Sequence, residues 1–574
     1  MDSTARNAMM VVADDASLPT TSSPVLSTSS TLTTTAVTQP LLDEPHQDTK
    51  DAASKDAPGE SGPKTVDSFL RLSWYCARVL LLAEFMLLGA AGNMVYMVYA
   101  GAAPHSVACV GDNFTVHDVC KEGPDFDAAA ANCTIKPDYE FLSLNVEFGY
   151  FCKRTALVKS AISVQMIGVL LGSVFWGYIS DSRGRKTAMI ICFSATAVLS
   201  LANSLAPDLL TFTAIRAVLS FFNGGCLIVY GVYKMEHVPR KHRFLISTLI
   251  AWSPNFIVIN GLAYMSGDWR TFQQVIFLVS CPAFLIFFVV YESPRWLIQQ
   301  GRIAEARTIL VRMQKIDGVS MEKKEDMKKM LDEEHERYMA KERKTKRYNL
   351  THLFRHTKMA VATMILSLGV FFCAMISYAL MFNIEKLAGS LFLNNVYLGL
   401  IRWSINIISG VMDYNFVWAG RKLFHTTSEA VVALCLFMIA MTQYLEKTED
   451  WAEIVRAGTL LTAAFCSQIF ISKGMTAMEY FPTVVRNSAI SFKSIFSRMG
   501  GILAPQIFFI PSKWLPYFLL ALLALVDCVA FAAVIPETKG IPLPETLPEK
   551  VKKLPKDILP SMSDSTNTEE KSRH

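Results

Sequence analysis

Charged residues are scarce in this chain. Asp, Glu, Lys and Arg make up 18% of its 574 residues, against about 25% in an ordinary soluble protein. Its apolar residues, 52% of the total, are gathered in blocks, and mean hydropathy is +0.30. That distribution excludes a water-soluble globule. An excess of positive charge is also missing: 55 basic and 50 acidic residues leave a formal charge of +5, too little to hold a polyphosphate, so nucleic acid is not an expected partner. The sequence has no glycine-rich nucleotide loop, no paired Cys-x-x-Cys and no Ser/His/Asp arrangement. Pumping by ATP hydrolysis, a zinc site and enzyme chemistry therefore lack support, and neither a cofactor nor a metal is expected. No secretory signal is expected either, because Met9-Met10-Val11-Val12 is too short for its apolar core. The first long apolar run is expected to act as the signal anchor.

Twelve apolar runs are present, each near the length of about 20 residues that crosses a bilayer. They lie at 74–100, 157–180, 187–207, 209–233, 244–265 and 271–291, then at 359–382, 391–416, 427–445, 453–478, 487–510 and 514–535. The reading is an all-α membrane protein with both termini on one side. Cations fix the side: Arg183, Arg185 and Lys186, then Lys234, Arg240, Lys241 and Arg243, then Arg421, Lys422 and Arg486 fall in alternate loops. By the positive-inside rule those loops and both tails are cytoplasmic. Residues 1–66, rich in Ser, Thr, Ala, Asp and Pro, are expected to be disordered. The remaining expected parts are a first bundle over 67–297, a charged cytoplasmic linker with short helices over 298–357, a second bundle over 358–541 and a tail over 542–574.

Eight of the twelve cysteines sit in or beside apolar runs, where a free thiol is a small hydrophobe. The other four, Cys109, Cys120, Cys133 and Cys152, share the long loop 101–156. That loop is extracellular by the charge argument, so two disulfides are expected, in any of three pairings. Asn113 and Asn132 head N-x-T sequons there and are the expected glycosylation sites.

The two halves repeat. Met235-Glu236-His-Val-Pro239 with Arg243 matches Met478-Glu479-Tyr-Phe-Pro482 with Arg486, offset by 243 residues. Glu292-Ser-Pro-Arg295 parallels Glu537-Thr-Lys539-Gly540, offset by 245, and Gly184-Arg185-Lys186 recurs as Gly420-Arg421-Lys422, offset by 236. Such a parallel repeat is a transporter design. The second loop copy has Val417 where the first has Asp181, and the first is expected to carry more of the gating.

The segment Gly177-Tyr-Ile-Ser-Asp181-Ser-Arg183-Gly184-Arg185-Lys186 resembles the signature loop of the major facilitator superfamily. Further stretches narrow the resemblance: Ala100-Gly-Ala-Ala-Pro104-His105 leading to Cys109, Glu147-Phe-Gly-Tyr-Phe-Cys152, Gly168-Val-Leu-Leu-Gly172, Asp268-Trp269-Arg270, Glu292-Ser-Pro-Arg295-Trp296-Leu297 and Pro536-Glu537-Thr-Lys-Gly540. Together they are similar to solute carrier family 22, the organic cation, organic anion and carnitine transporters, over residues of about 70 to 550. The resemblance implies the major facilitator fold, two six-helix bundles working by alternating access. It also implies a small organic ion as substrate, a multi-pass plasma-membrane location and a monomer in the lipid bilayer. Gly177, Asp181, Gly184, Arg185, Glu236, Arg243, Glu292, Arg295, Glu479, Arg486 and Glu537 are then gate residues, whose ion pairs form a network expected only in the outward-facing state.

Substrate contacts must come from polar residues inside the runs, where each charge needs a reason. Arg402 and Arg498 are the foremost candidates, since two guanidinium groups on one cavity would grip a carboxylate, sulfate or phosphate. Asn406 and Ser494, each four residues away, are their polar neighbours, with Asp413 or Asp527 as the carboxylates that could instead satisfy them. In organic cation transporters the place of Arg498 resembles an aspartate and that of Arg402 a glutamate, whereas anion and carnitine members carry arginine at the place of Arg498. The resemblance therefore implies an organic anion or zwitterion. Tyr378 and Asn223 are further cavity candidates, with Phe371, Phe372 and Trp403 as aromatic walls. Arg216 reads as structural. Glu84, with Arg78 nearby, and Asp527 are candidate coupling sites. The alternatives are an organic cation carrier and a non-transporting relative acting as a receptor or vesicle glycoprotein.

Overall fold

The computed structural model describes residues 70–110, 116–118, 134–239, 246, 252–318, 324–344 and 350–540. Six long helices of the first half come first: α1 Trp74–Ala100, α2 Thr155–Arg183, α3 Arg185–Ser204, α4 Leu209–His237, α5 Trp252–Ser266 and α6 Trp269–Phe287. Six more follow: α7 Thr357–Met381, α8 Leu391–Asn415, α9 Arg421–Tyr444, α10 Ala452–Tyr480, α11 Thr483–Leu503 and α12 Leu515–Val534. Ten of the twelve are long and apolar enough to cross a bilayer. The described part of α5 is only 15 residues long, and α11 carries Arg486, Lys493 and Arg498 in 21 residues. The exception at α11 is a charge-bearing wall rather than a failed span. Large apolar side chains such as Leu210, Met265, Phe288 and Tyr414 stand out from the helices into the surroundings. A lipid-facing belt requires that outward apolarity.

Helix starts follow local chemistry. Asp208 and Asp268 each accept the amide of the third residue on, at 2.8 Å, and so cap α4 and α6. No side chain of its own first turn caps α1. Asp317, more than 240 residues later, accepts Tyr75 N–H at 3.0 Å and the Ser73 hydroxyl at 2.7 Å. Small residues set the tightest packing: a Cβ at Gly172 would strike the Phe221 carbonyl, so α2 and α4 touch backbone to backbone.

The long loop contains an unanticipated antiparallel sheet of β1 Ser106–Val110, β2 Val116–Asp118 and β3 Thr134–Asp138, in the order β2-β1-β3. Cys152 is disulfide-bonded. The side chains of Cys109, Cys120 and Cys133, like Asn113 and Asn132, lie outside the described residues, as does Arg243. The eight cysteines beside apolar runs are free. The linker also differs from a solvated tether. Its helices Ile303–Ile316 and Lys324–Lys344 bury Ala306, Leu310, Met313, Met327, Met330 and Leu331 in one apolar cluster with α1 and α3. The i, i+3 and i+4 apolar spacing within a highly charged stretch is what allows that face to dock.

Candidate functional site

A central cavity of about 540 Å³ lies between the halves. Its wall combines Tyr230 and Lys234 of α4, Trp252 of α5, Tyr378 of α7, Arg402 and Asn406 of α8, Ser467 and Phe470 of α10, and Ser494 and Arg498 of α11. Three of the four substrate candidates, Arg402, Arg498 and Tyr378, thus meet on one space. The fourth does not. Asn223 is buried against α1, where its amide donates to the Ala90 carbonyl at 3.1 Å, and it acts as a packing residue beside Gly224. Phe371 and Phe372 stack edge to face at 5.6 Å away from the lining, and Trp403 also stays outside it.

The charge state of the wall is distinctive: among the described residues it bears Lys234, Arg402 and Arg498 and no carboxylate. The carboxylates considered as partners are engaged elsewhere. Asp413 pairs with Arg421 at 2.5 Å and Lys539 at 3.3 Å, while Asp527 pairs with Lys473. Nor do the polar neighbours serve the arginines. Asn406 donates to Ser467 Oγ at 3.0 Å, and the Ser494 hydroxyl bonds back to the Ile490 carbonyl at 2.8 Å. Arg402 Nε is buried with no hydrogen-bond acceptor. Lys234 interacts with Glu84, which lies behind the lining and accepts Asn255 Nδ2 at 2.9 Å; Arg78 is exposed and plays no part there. By sequence Lys234 belongs to a loop, because the apolar run stops at Tyr233. The helix continues for another turn and brings the ammonium inward.

Arg216, fully buried, is held by neutral groups. It donates to Gln165 Oε1 at 3.0 Å, Gln273 Oε1 at 3.2 Å and Asn93, and its guanidinium lies 4.4 Å from the Tyr96 ring centre. It is a structural strut among α1, α2, α4 and α6.

At the end bearing the basic loops, each half builds the same clasp. Arg185 contacts Asp181 and reaches Glu236 Oε1 at 3.2 Å. Glu292 accepts the backbone amides of Arg185 and Lys186 at 3.0 and 3.1 Å, at the start of α3. Gly184 sits between them at φ 111°, and a Cβ there would fall on the Glu292 carboxylate. Trp296 Nε1 then donates to the Asp181 carbonyl at 2.8 Å, docking the segment after Glu292 onto α2. In the second half Arg421 pairs with Glu479 at 3.2 Å, and Glu537 accepts the amides of Arg421 and Lys422 at 2.9 and 3.0 Å. The second copy, with Val417 at the place of Asp181, also has a carboxylate on its arginine. Its carboxylate comes from Asp413, one turn before Val417, across the bend that ends α8. Arg486 instead donates to the Phe481 carbonyl at 3.1 Å, and Arg295 makes a contact of its own. A Cβ at Gly177 would meet nothing outside its own helix closer than the Ile228 side chain at 4.0 Å among the described residues.

The two capping carboxylates differ electrostatically. Burial raises the Glu292 carboxyl above its ordinary range against the pull of three amides. Burial also opposes ionisation of Glu537, but four amide donors, from Lys539, Lys422, Arg421 and Thr538, outweigh it and hold that carboxyl low.

The opposite end joins the halves. Lys159 of α2 pairs with Glu385 at 2.5 Å and donates to the Phe382 carbonyl, both groups lying between α7 and α8. Ser163 Oγ donates to the Ile502 carbonyl at 2.9 Å, and Glu140 accepts Ser390 Oγ and Leu391 N at 2.7 and 2.9 Å. Phe392 packs against Tyr99, Phe141 and Tyr264. The long-loop end is therefore shut while the clasps within each half are formed, so those clasps are not confined to the outward-facing state. Two resemblance motifs also meet here: Glu147 accepts from Trp269 Nε1 and pairs with Arg270 at 2.7 Å, and Arg270 closes the end of α3 on the Ser204 carbonyl.

A profile of sugar (and other) transporters matches residues 125–548. Solute carrier family 22 member 7 of Bos taurus is 24% identical over 445 residues, 76% of each chain. An organic cation transporter protein of Drosophila melanogaster is 26% identical, over 70% of this chain and 72% of the relative. The inward-open xylose transporter of E. coli superposes with a TM-score of 0.58 at 15% identity, covering 82% of this chain and 98% of that one. A paired repeat of six helices around a polar cavity agrees with these likenesses. The chain belongs to the sugar (and other) transporter family: it is a multi-pass secondary transporter with the major facilitator fold, not an enzyme, and is similar to members of solute carrier family 22.

Proposed function

We propose that the chain carries small organic anions or zwitterions, carboxylate-bearing and possessing an apolar body, across the plasma membrane by alternating access, as a monomer with both tails cytoplasmic. The observation that carries this reading is the cavity wall, on which, among the described residues, Arg402 and Arg498 have no carboxylate partner and no acid joins the lining. Two uncompensated guanidinium groups in a low-dielectric space raise the local potential, and an entering carboxylate relieves it. Arg498 and Arg402 then act as bidentate donors, Tyr378 and Phe470 as the apolar and aromatic walls, and Lys234 as a weaker third cation partly offset by Glu84. A quaternary amine would meet repulsion with no anion to receive it.

Uptake of labelled carnitine, an aromatic carboxylate and a quaternary amine by cells expressing the chain tests this, with Arg498→Ala alongside. Carboxylate-bearing substrates should enter, and the variant should lose at least about 30-fold in uptake, the cost of about 2 kcal/mol or more for deleting one partner of a buried charge pair. Entry of the amine alone refutes the charge argument. Uptake of none of the three supports a receptor-like relative.

A further inference from the structure

The second half holds a cluster of titratable side chains that the cavity does not use. His425 and Glu429 on α9, Lys473 on α10 and Asp527 on α12 are each at most 2% exposed. Lys473 forms an ion pair with Asp527 and lies 3.9 Å from Glu429, and His425 Nε2 lies 3.9 Å from Asp527. One ligand atom from each of His425, Glu429 and Asp527 falls within 4.8 Å of the others. Both oxygens of Glu429 and both ring nitrogens of His425 are buried with no hydrogen-bond partner. We propose that this cluster is a proton-binding site, with Glu429 taking up one proton shared with Asp527, and that proton binding accompanies substrate movement.

The count of charges supports it. With the ammonium positive, both carboxylates ionised and the imidazole neutral, the cluster carries one net negative charge in a buried site. An uncompensated buried charge is costly, and two carboxylates this close favour one shared proton. Forming one O–H bond on Glu429, with the proton drawn from the aqueous phase, makes the cluster neutral. It also gives the orphan oxygen a donor. A metal ion fits less well, because the Lys473 ammonium already stands where a cation would be held. The helix facing the pair is shaped for it: a Cβ at Gly369 of α7 would collide with both Lys473 and Asp527.

Among the described residues, the other groups facing the cluster are these. From α7 comes Cys373, which donates to the Cys466 carbonyl at 3.4 Å; Cys528 flanks Asp527 on α12, Lys493 approaches from α11, and the Phe531 ring covers His425 at 3.7 Å. Cys373 lies near Lys473 and Asp527 on one side and near Arg402 on the other. Helix α10 also puts Ser467, Phe470 and Ile471 on the cavity wall within two turns of Lys473. An anion seated at Arg402 lowers the positive potential felt by the cluster and so raises its proton affinity. Anion and proton then bind together, and the coupling is reciprocal.

The coupling rests on the transport reading above; the proton site does not. The full chain is reconstituted in liposomes and assayed with radiolabelled hippurate, protein-free vesicles being subtracted. An inward proton gradient of about two pH units should speed uptake at least about fivefold. Glu429→Gln should lose that acceleration and keep hippurate–hippurate exchange, and Glu429→Asp should retain it. Equal acceleration in wild type and Glu429→Gln, or a sodium gradient replacing the proton gradient, overturns the proposal. Thermal unfolding of the purified protein tests the site without transport. The native cluster holds a proton that the unfolded chain releases, so stability should fall as pH rises, by on the order of 1–2 °C per pH unit more in wild type than in Glu429→Gln. Identical pH profiles overturn the site. Differing profiles with no hippurate flux under any condition support the site and refute the transport reading.

Discussion

Replacing Lys159 by Met should prise open the long-loop end. Lys159 and Glu385 belong to different halves, and their side chains are only 8% and 4% exposed. At an effective dielectric constant of about 20, charges about 3–4 Å apart attract by about 4–6 kcal/mol before desolvation is subtracted. Lys159 also donates to the Phe382 carbonyl and, at 3.4 Å, to Asn383 Oδ1. Removing the ammonium leaves Glu385 buried and alone, which costs about 3–5 kcal/mol in the closed form. With the end open, both groups are in water and the loss is about 0–1 kcal/mol. The difference, about 2–5 kcal/mol, shifts the equilibrium toward the open form by roughly 30- to 4,000-fold. The assay is the rate at which a membrane-impermeant maleimide, applied to intact cells, labels Ser467→Cys on the cavity wall. The Lys159→Met variant should label much faster than its parent, and adding Glu385→Leu should restore slow labelling, because apolar replacement of both partners leaves no orphan charge. Equal rates in parent and single variant, or a double variant as open as the single one, would refute the reasoning.

Other outcomes follow from the clasps. Asp413→Asn should impair transport as severely as Asp181→Asn, since each removes a carboxylate from the arginine opening α3 or α9; an unaffected Asp413→Asn would mean that the first copy carries the gating. Gly184→Ala should destabilise the protein by about 1–3 kcal/mol because of its positive φ and the adjacent Glu292, while Gly177→Ala, with open space around it, should leave the melting temperature unchanged. The capping carboxylates should separate by pH. Glu537, held low, contributes stability that is present at neutral pH and lost as pH falls below the ordinary carboxylate range, so Glu537→Gln should cost more at neutral than at acid pH. Glu292, raised by burial, binds its proton more tightly folded than unfolded, so its ionised form adds least at neutral pH and Glu292→Gln should be the milder change there. Reversed melting profiles for the two variants would contradict that ordering.

The helices were legible in the sequence because bilayer-length apolar runs are a strong periodic signal, and boundaries for α7, α8 and α12 fall within two residues of the runs. Arg402 and Arg498 were legible for the same reason inverted: a cation amid apolar residues is conspicuous. Lys234 was not, since at the edge of a run it looks like any loop cation. Asp413 escaped because a repeat compared at fixed offset sets Val417 opposite Asp181, and only the bend ending α8 carries the earlier carboxylate to Arg421. The buried tetrad was legible only in Asp527, a lone carboxylate in an apolar run. His425 and Glu429 on α9 and Lys473 on α10 are scattered polar interruptions in sequence, and only packing of α9, α10 and α12 makes the four a set.

The small sheet of the long loop offers experimental leverage of another kind. Just beyond β3, Glu140 reaches across to the other half and holds the first residues of α8 through Ser390 and Leu391. The sheet and α8 therefore share a footprint only while that end is shut. An antibody fragment whose epitope spans β3 and the start of α8 would recognise one conformer, trap it for imaging, and report by its binding how often the carrier visits the other.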